Sequence, residues 1–165
     1  MIILAIDPGP VTCGVVELNT SRWRLSLAEG AATVQRALDL VATAPERGVG
    51  AIAIERVKAG QFAGDSYLQT SEVVGRLQER GIVAGFAPAL MYRTDILRWL
   101  DLLGVKGTRD AAVNRELVRR YGGATKAQVK GTRSNPGPLF GISHHGWQAL
   151  GVAEAYAESQ GLRKQ

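Results

Sequence analysis

The sequence predicts an α/β fold, a mixed sheet of five strands covered by helices on both faces. Three observations carry that expectation. Two continuous apolar runs, IILAI at 2–6 and GAIAIE at 50–55, read as central strands buried on both sides. Two further strand-like segments, joined by a short turn, follow the first run and call for antiparallel pairing. Helix-period segments then separate the later strands, the pattern of parallel crossovers.

The elements follow in order. After IILAI, TCGVVEL (12–18) and RWRLSLA (22–28) are joined by NTS, a hairpin-type turn. Trp23, Leu25 and Leu27 alternate with Arg22, Arg24 and Ser26, so this strand has one wet face and lies near a sheet edge. Over 31–45, Val34, Leu38 and Val41 recur at helical spacing, and Pro45 and Gly48 end the helix. GAIAIE is followed by a helix over 65–80, closed by Gly81. IVAGFA (82–87) reads as the fifth strand. Two basic helices fit 92–103 and 109–121, with Thr108 as a candidate cap. Residues 122–141 are loop by their Gly, Pro, Ser and Asn content. A last helix spans 144–160, capped by Ser143, with Trp147, Leu150 and Val152 on its buried side. No internal repeat or long linker divides 1–165, so a single domain is expected.

Composition narrows the function. A lone cysteine, Cys13, excludes an internal disulfide framework and suits a reducing compartment, so a cytoplasmic protein is expected. The first apolar run is too short for a signal peptide, and no stretch nears the roughly 18 apolar residues of a membrane span. The net charge of +5 is unevenly spread. Residues 91–135 hold ten Lys and Arg against four acids, +6, and the remainder sums to −1. An excess confined to one region predicts a polyanion-binding face, against the alternative of a solvated helical surface.

Both central runs end on a carboxylate. LAIDPG (4–9) puts Asp7 at the end of the first, and Glu55 closes GAIAIE. Burying an unpaired charge costs about 2 kcal/mol or more, so each acid needs an answer. If the two strands are adjacent and parallel, the carboxylates meet at one edge, where a positive partner must lie between them. Oxygen ligands suit Mg²⁺ or Mn²⁺. The alternative for each acid alone is a strand end facing water.

These residues carry a resemblance. AIDPGPVTCGVVEL (5–18) is similar to the first hairpin of the RuvC-type Holliday junction resolvases, which have the RNase H-like fold. IAIERV (52–57) resembles their second motif, and DILRWLDLLGVKGTRDAAVNRELV (95–118) their basic DNA-binding stretch. SHHGWQALGVAEAY (143–156) resembles the C-terminal helix, where an acid or histidine is followed three positions later by aspartate. The motifs run in family order over nearly the whole chain, although actin-like ATPases and sugar kinases share the first.

The resemblance implies a five-stranded RNase H-like domain and metal-dependent hydrolysis of four-way DNA junctions. It implies a site of Asp7, Glu55, His145 and Gln148 holding two Mg²⁺ or Mn²⁺ ions, with Asp7 bridging them. Lys58, Phe62, Arg93, Lys106, Arg109, Arg115, Arg119 and Lys130 would meet the DNA. Phe62 is either a wedge at the junction centre or a packed loop residue. The two-fold symmetry of a junction implies a homodimer. The helix over 65–80, with Leu68, Val73, Val74 and Leu77, is either its interface or packing on its own sheet.

Two departures matter. Gln148 stands where the family has aspartate, so the ligand set is one charge short. His144 and His145, the only histidines, begin the helix expected to return to the Asp7 edge, and either ring can serve as ligand or general base. His144 with Gln148 is an alternative i,i+4 pairing. Three rival functions remain: a RuvC-related nuclease acting on structured RNA precursors, a catalytically weakened junction-binding protein, and an actin-like phosphate-binding module. The last needs a second lobe for which 165 residues leave no room, so no nucleotide cofactor is expected.

Overall fold

The computed structural model describes residues 1–57, 64–106 and 109–162, the Arg109 side chain excepted. Five strands, β1 (Ile2–Asp7), β2 (Thr12–Asn19), β3 (Arg24–Thr33), β4 (Val49–Arg56) and β5 (Ala89–Tyr92), form one sheet in the order β3-β2-β1-β4-β5. β1–β2 and β2–β3 pair antiparallel, and β1–β4 and β4–β5 pair parallel. The sheet is therefore mixed, its first strand is central, and the half-wet β3 is an edge, as expected.

Helices cover both faces. On one side lie α1 (Val34–Ala42) and α2 (Asp65–Val83). On the other, α6 (Gly146–Ser159) lies against β1 and β2, backed by α3 (Arg93–Trp99) and α4 (Arg109–Arg120). Strand alternation feeds two cores. Ile3, Ala5, Val16 and Ala53 face the α6 side, whereas Leu4, Ile6, Val15 and Ile54 face α1 and α2. Sandwiched between sheet and helices, α6 is buried continuously from Gly146 to Ala155, Trp147, Leu150 and Val152 included. Among the described residues no helix is long and apolar enough to cross a membrane.

Several boundaries differ from expectation. β3 continues to Thr33, which caps α1 by accepting from the Arg36 N–H at 3.1 Å, so the helix starts three residues later than its periodicity suggests. IVAGFA is not a strand. α2 runs through Gly81 to Val83, and the fifth strand is the four-residue β5 at 89–92. Gly81 is not a helix stop; a Cβ there would lie 2.4 Å from the Pro88 ring, so the residue exists for close packing. The left-handed turn comes at Gly85, φ +88°. α3 ends at Trp99, short of the expected 103. The 122–141 segment contains α5 (Lys126–Lys130), fixed by a capping box between Thr125 and Gln128. α6 begins at Gly146, with His145 rather than Ser143 as its N-cap. On α2, Val73, Val74 and Leu77 are buried in the core beneath the chain's own sheet, and only Leu68 of that quartet is exposed. Thr108 lies outside the described residues.

Two glycines let α6 approach the sheet. A Cβ on Gly14, which pairs with Asp7 in the β1–β2 register, would lie 2.2 Å from the His145 carbonyl oxygen. A Cβ on Gly30 would lie 2.1 Å from that of Ser143. The His145 N–H donates to the Gly30 carbonyl at 3.1 Å. This contact, with His144 held at φ +40°, delivers the start of α6 to the Asp7 edge. Gly14→Ala is expected to lower unfolding stability by about 2 kcal/mol or more in urea titrations, because backbone must move. Gly75→Ala, in α2 with nothing within 4 Å, should instead gain about 0.5–1 kcal/mol.

Candidate active site

Strand pairing brings the two acids together. In β1, Asp7 follows Ile3 and Ala5 on the α6 face, and in β4, Glu55 follows Ala53. Ala5 pairs with Ala53 and Ile6 with Ile54, so one further step brings both carboxyls to the same edge. They stand side by side, each shifting the other's titration. Burial pushes both up, Asp7 to about 6 and Glu55 to about 7. The Arg93 guanidinium opposes the rise, while Asp110 and, for Glu55, Asp7 add to it.

The positive partner in the structure is Arg93. It is the first residue of α3, directly after β5, whose parallel pairing with β4 ends at the same edge. Its Nε lies 3.3 Å from Glu55 Oε1, its Nη1 donates to Gln148 Oε1 at 3.0 Å, and its Nη2 meets Asp110 Oδ1 at 2.7 Å. The Gln148 amide is fixed on its other side by donation to Asn114 Oδ1 at 3.3 Å. His145 Nδ1 is 3.5 Å from Asp7 Oδ2, and its ring is mostly exposed, at 58%. His144, at φ +40°, precedes the helix, so its spacing to Gln148 is not a helical i,i+4 one.

Asp7, Glu55, His145 and Gln148, named from sequence, thus share one edge. Arg93, expected to face DNA, is held among these groups. Lys106 and Arg115 are exposed, Arg119 is exposed but bound by Glu116 through two hydrogen bonds, and Lys130 is half-buried at the end of α5. Arg115, Arg119 and Lys126 line a groove of about 470 Å³ along α4 that reaches Asn114, beside the site. Arg120, counted in the basic excess, turns inward to Glu116, Glu154 and Glu158. Lys58, Phe62 and the Arg109 side chain lie outside the described residues. Asp110 and Asn114 are the site residues that pattern reading missed. Their one signal is i,i+4 spacing on a helix adjoining the Lys106 segment.

The donor set fits a hard divalent cation. Glu55 is 9% exposed, and its Oε2 is buried without a hydrogen-bond partner. Mg²⁺ is commonly held by one or two carboxylates, with water and phosphate completing its shell. Among the described residues no three His, Cys, Asp or Glu side chains form a ready-made cage, so the fit rests on this carboxylate pair.

Fold and site together define an RNase H-like α/β domain with an acid pair at the ends of two adjacent parallel strands. Thermus thermophilus RuvC shares this architecture. Its complex with a Holliday junction substrate matches at TM-score 0.67, and a second T. thermophilus RuvC structure at 0.72. Identity is 17% in both, with 98% of this chain and 96% of the other covered. No protein-family model and no curated sequence matches the chain.

The raised carboxyls have a consequence for stability. A carboxyl that titrates higher folded than unfolded stabilises fully below its unfolded value, and that contribution is lost as pH rises through its folded one. For Asp7 the loss spans roughly pH 4 to 6. Asp7→Asn should therefore raise stability relative to the wild type by about 1–2 kcal/mol at pH 8 and by little at pH 4.5. Thermal melts with chelator at both pH values measure this.

Proposed function

We propose that this chain is a metal-dependent, structure-selective endonuclease that resolves four-way DNA junctions, acting as a single RNase H-like domain within a homodimer. The observation that carries the reading is the Asp7–Glu55 pair, desolvated at neighbouring strand ends with one carboxylate oxygen lacking a partner. Support comes from the shared fold with a resolvase solved on a Holliday junction substrate.

In this reading Asp7 and Glu55 hold Mg²⁺ or Mn²⁺, which supplies Lewis acidity toward the scissile phosphate. His145, exposed and near Asp7, takes the proton of the attacking water. Asp7 orients that imidazole as well as serving as ligand. Arg115, Arg119 and Lys126 bind backbone phosphates along the α4 groove, giving affinity without sequence preference. The Asn114–Gln148–Arg93 chain ties that groove to the acid pair, so docked DNA and reacting groups keep one geometry. Two such sites related by a two-fold axis suit a symmetric junction that needs two cuts.

A second reading, a junction-binding protein with weakened catalysis, draws on one observation: the Gln148 amide oxygen is engaged by Arg93. A labelled four-way junction incubated with Mg²⁺ or Mn²⁺ separates the two. Symmetric cuts are expected from the wild type. Asp7→Asn should lower the cutting rate by about 100-fold or more while junction binding in gel shifts is retained. Binding without cutting in either metal would favour the second reading. Preferential cutting of structured RNA would replace the substrate.

A further inference from the structure

We infer that Arg93 is a built-in second cation, so that the site takes a single divalent ion. The inference rests on the metal-dependent reading above, and it concerns how many ions the ligand set can hold.

The contacts of Arg93 carry it. Its guanidinium engages three side chains from three elements: Glu55 Oε1 at the end of β4, Asp110 Oδ1 in the first turn of α4, and Gln148 Oε1 in α6. Those are oxygens that a second ion on this side of Glu55 would need. The arginine side chain is only 22% exposed, so it belongs to the site rather than to the solvated face. Glu55 is divided between two roles. Oε1 faces Arg93, and Oε2, buried and without a hydrogen bond, is left for an ion shared with Asp7.

Residue 148 fits the same arrangement. An aspartate there would attract a divalent ion, whereas glutamine offers Arg93 a neutral acceptor and uses its amide nitrogen to bind Asn114. Charge agrees. Asp7, Glu55 and Asp110 ionised, against Arg93, leave the cluster at −2, which one divalent cation neutralises. A second ion would leave an excess of +2 with Arg93 in place, or +1 if it displaced the guanidinium held at three points. Arg93 acts through Glu55, Asp110 and Gln148, so it is a positioning residue.

Mn²⁺ titration of the full chain, followed by calorimetry and by electron paramagnetic resonance, tests this without reference to cleavage. The wild type should bind one Mn²⁺ per chain and give the spectrum of an isolated ion. Arg93→Gln combined with Gln148→Asp removes the internal cation and restores an acid, and it should bind two ions with a spin-coupled spectrum. Arg93→Lys, which keeps the charge, should still bind one. Two coupled ions in the wild type would overturn the inference, whatever the variants do, and so would no ion at all. The two proposals fail separately: one bound ion without junction cleavage would sink the resolvase reading alone, and two coupled ions with cleavage would sink this one alone.

Discussion

The Arg93 guanidinium is the interaction on which this site depends. Two carboxylates at the ends of buried strands repel each other and lose hydration, and burial drives both toward the protonated form. A cation fixed among them is what makes the arrangement tolerable. Arg93 suits this better than lysine, because its planar fork reaches Glu55, Asp110 and Gln148 at once. The compensation is partial, since Glu55 Oε2 stays unpartnered. On the proposed metal-dependent reading, that residual deficit is where an external ion would be held.

The same side chain joins β4, α4 and α6 at the acid edge, adding to the Asn114–Gln148 and Arg120–Glu154/Glu158 contacts that already link α4 to α6. β4, α4 and α6 each contribute one group to it, and α4 also carries Arg115 and Arg119 on its exposed side. The geometry of the acid pair is thereby linked to the helix that presents the basic groove. The glycines serve this end from the opposite direction. Without side chains at Gly14 and Gly30, the start of α6 lies directly on β2 and β3, which brings His145 to Asp7 and holds Gln148 in line with Arg93.

Much of this was legible in the chain. The apolar runs ending in Asp7 and Glu55 predicted two central strands, and their parallel adjacency follows once a helix must cross between them. The resemblance to RuvC-type resolvases pointed to His145 and Gln148 on the returning helix. Part of what was not legible traces to one misplaced strand. IVAGFA has the composition of a strand, yet it completes α2, because Gly81 packs on Pro88 instead of ending the helix. The resemblance implied that Arg93 meets DNA, and with the fifth strand expected at 82–87 nothing placed it beside the acid pair. Placed at 89–92, the strand delivers Arg93 to the edge that holds Asp7 and Glu55. Asp110 and Asn114 were hidden for another reason. Their partners lie 17 and 34 residues away, and no local period reports a contact at that separation.

The central claim is that Arg93 and Glu55 are energetically coupled as the keystone of this edge. A double-mutant cycle of Arg93→Met and Glu55→Gln, read by urea unfolding at pH 8 with chelator present, tests it most directly. The account predicts a coupling energy of about 1.5–3 kcal/mol, with each single variant leaving a buried polar group short of its partner. Additive effects, within about 0.5 kcal/mol, would contradict it and return Arg93 to the solvated surface of a basic helix.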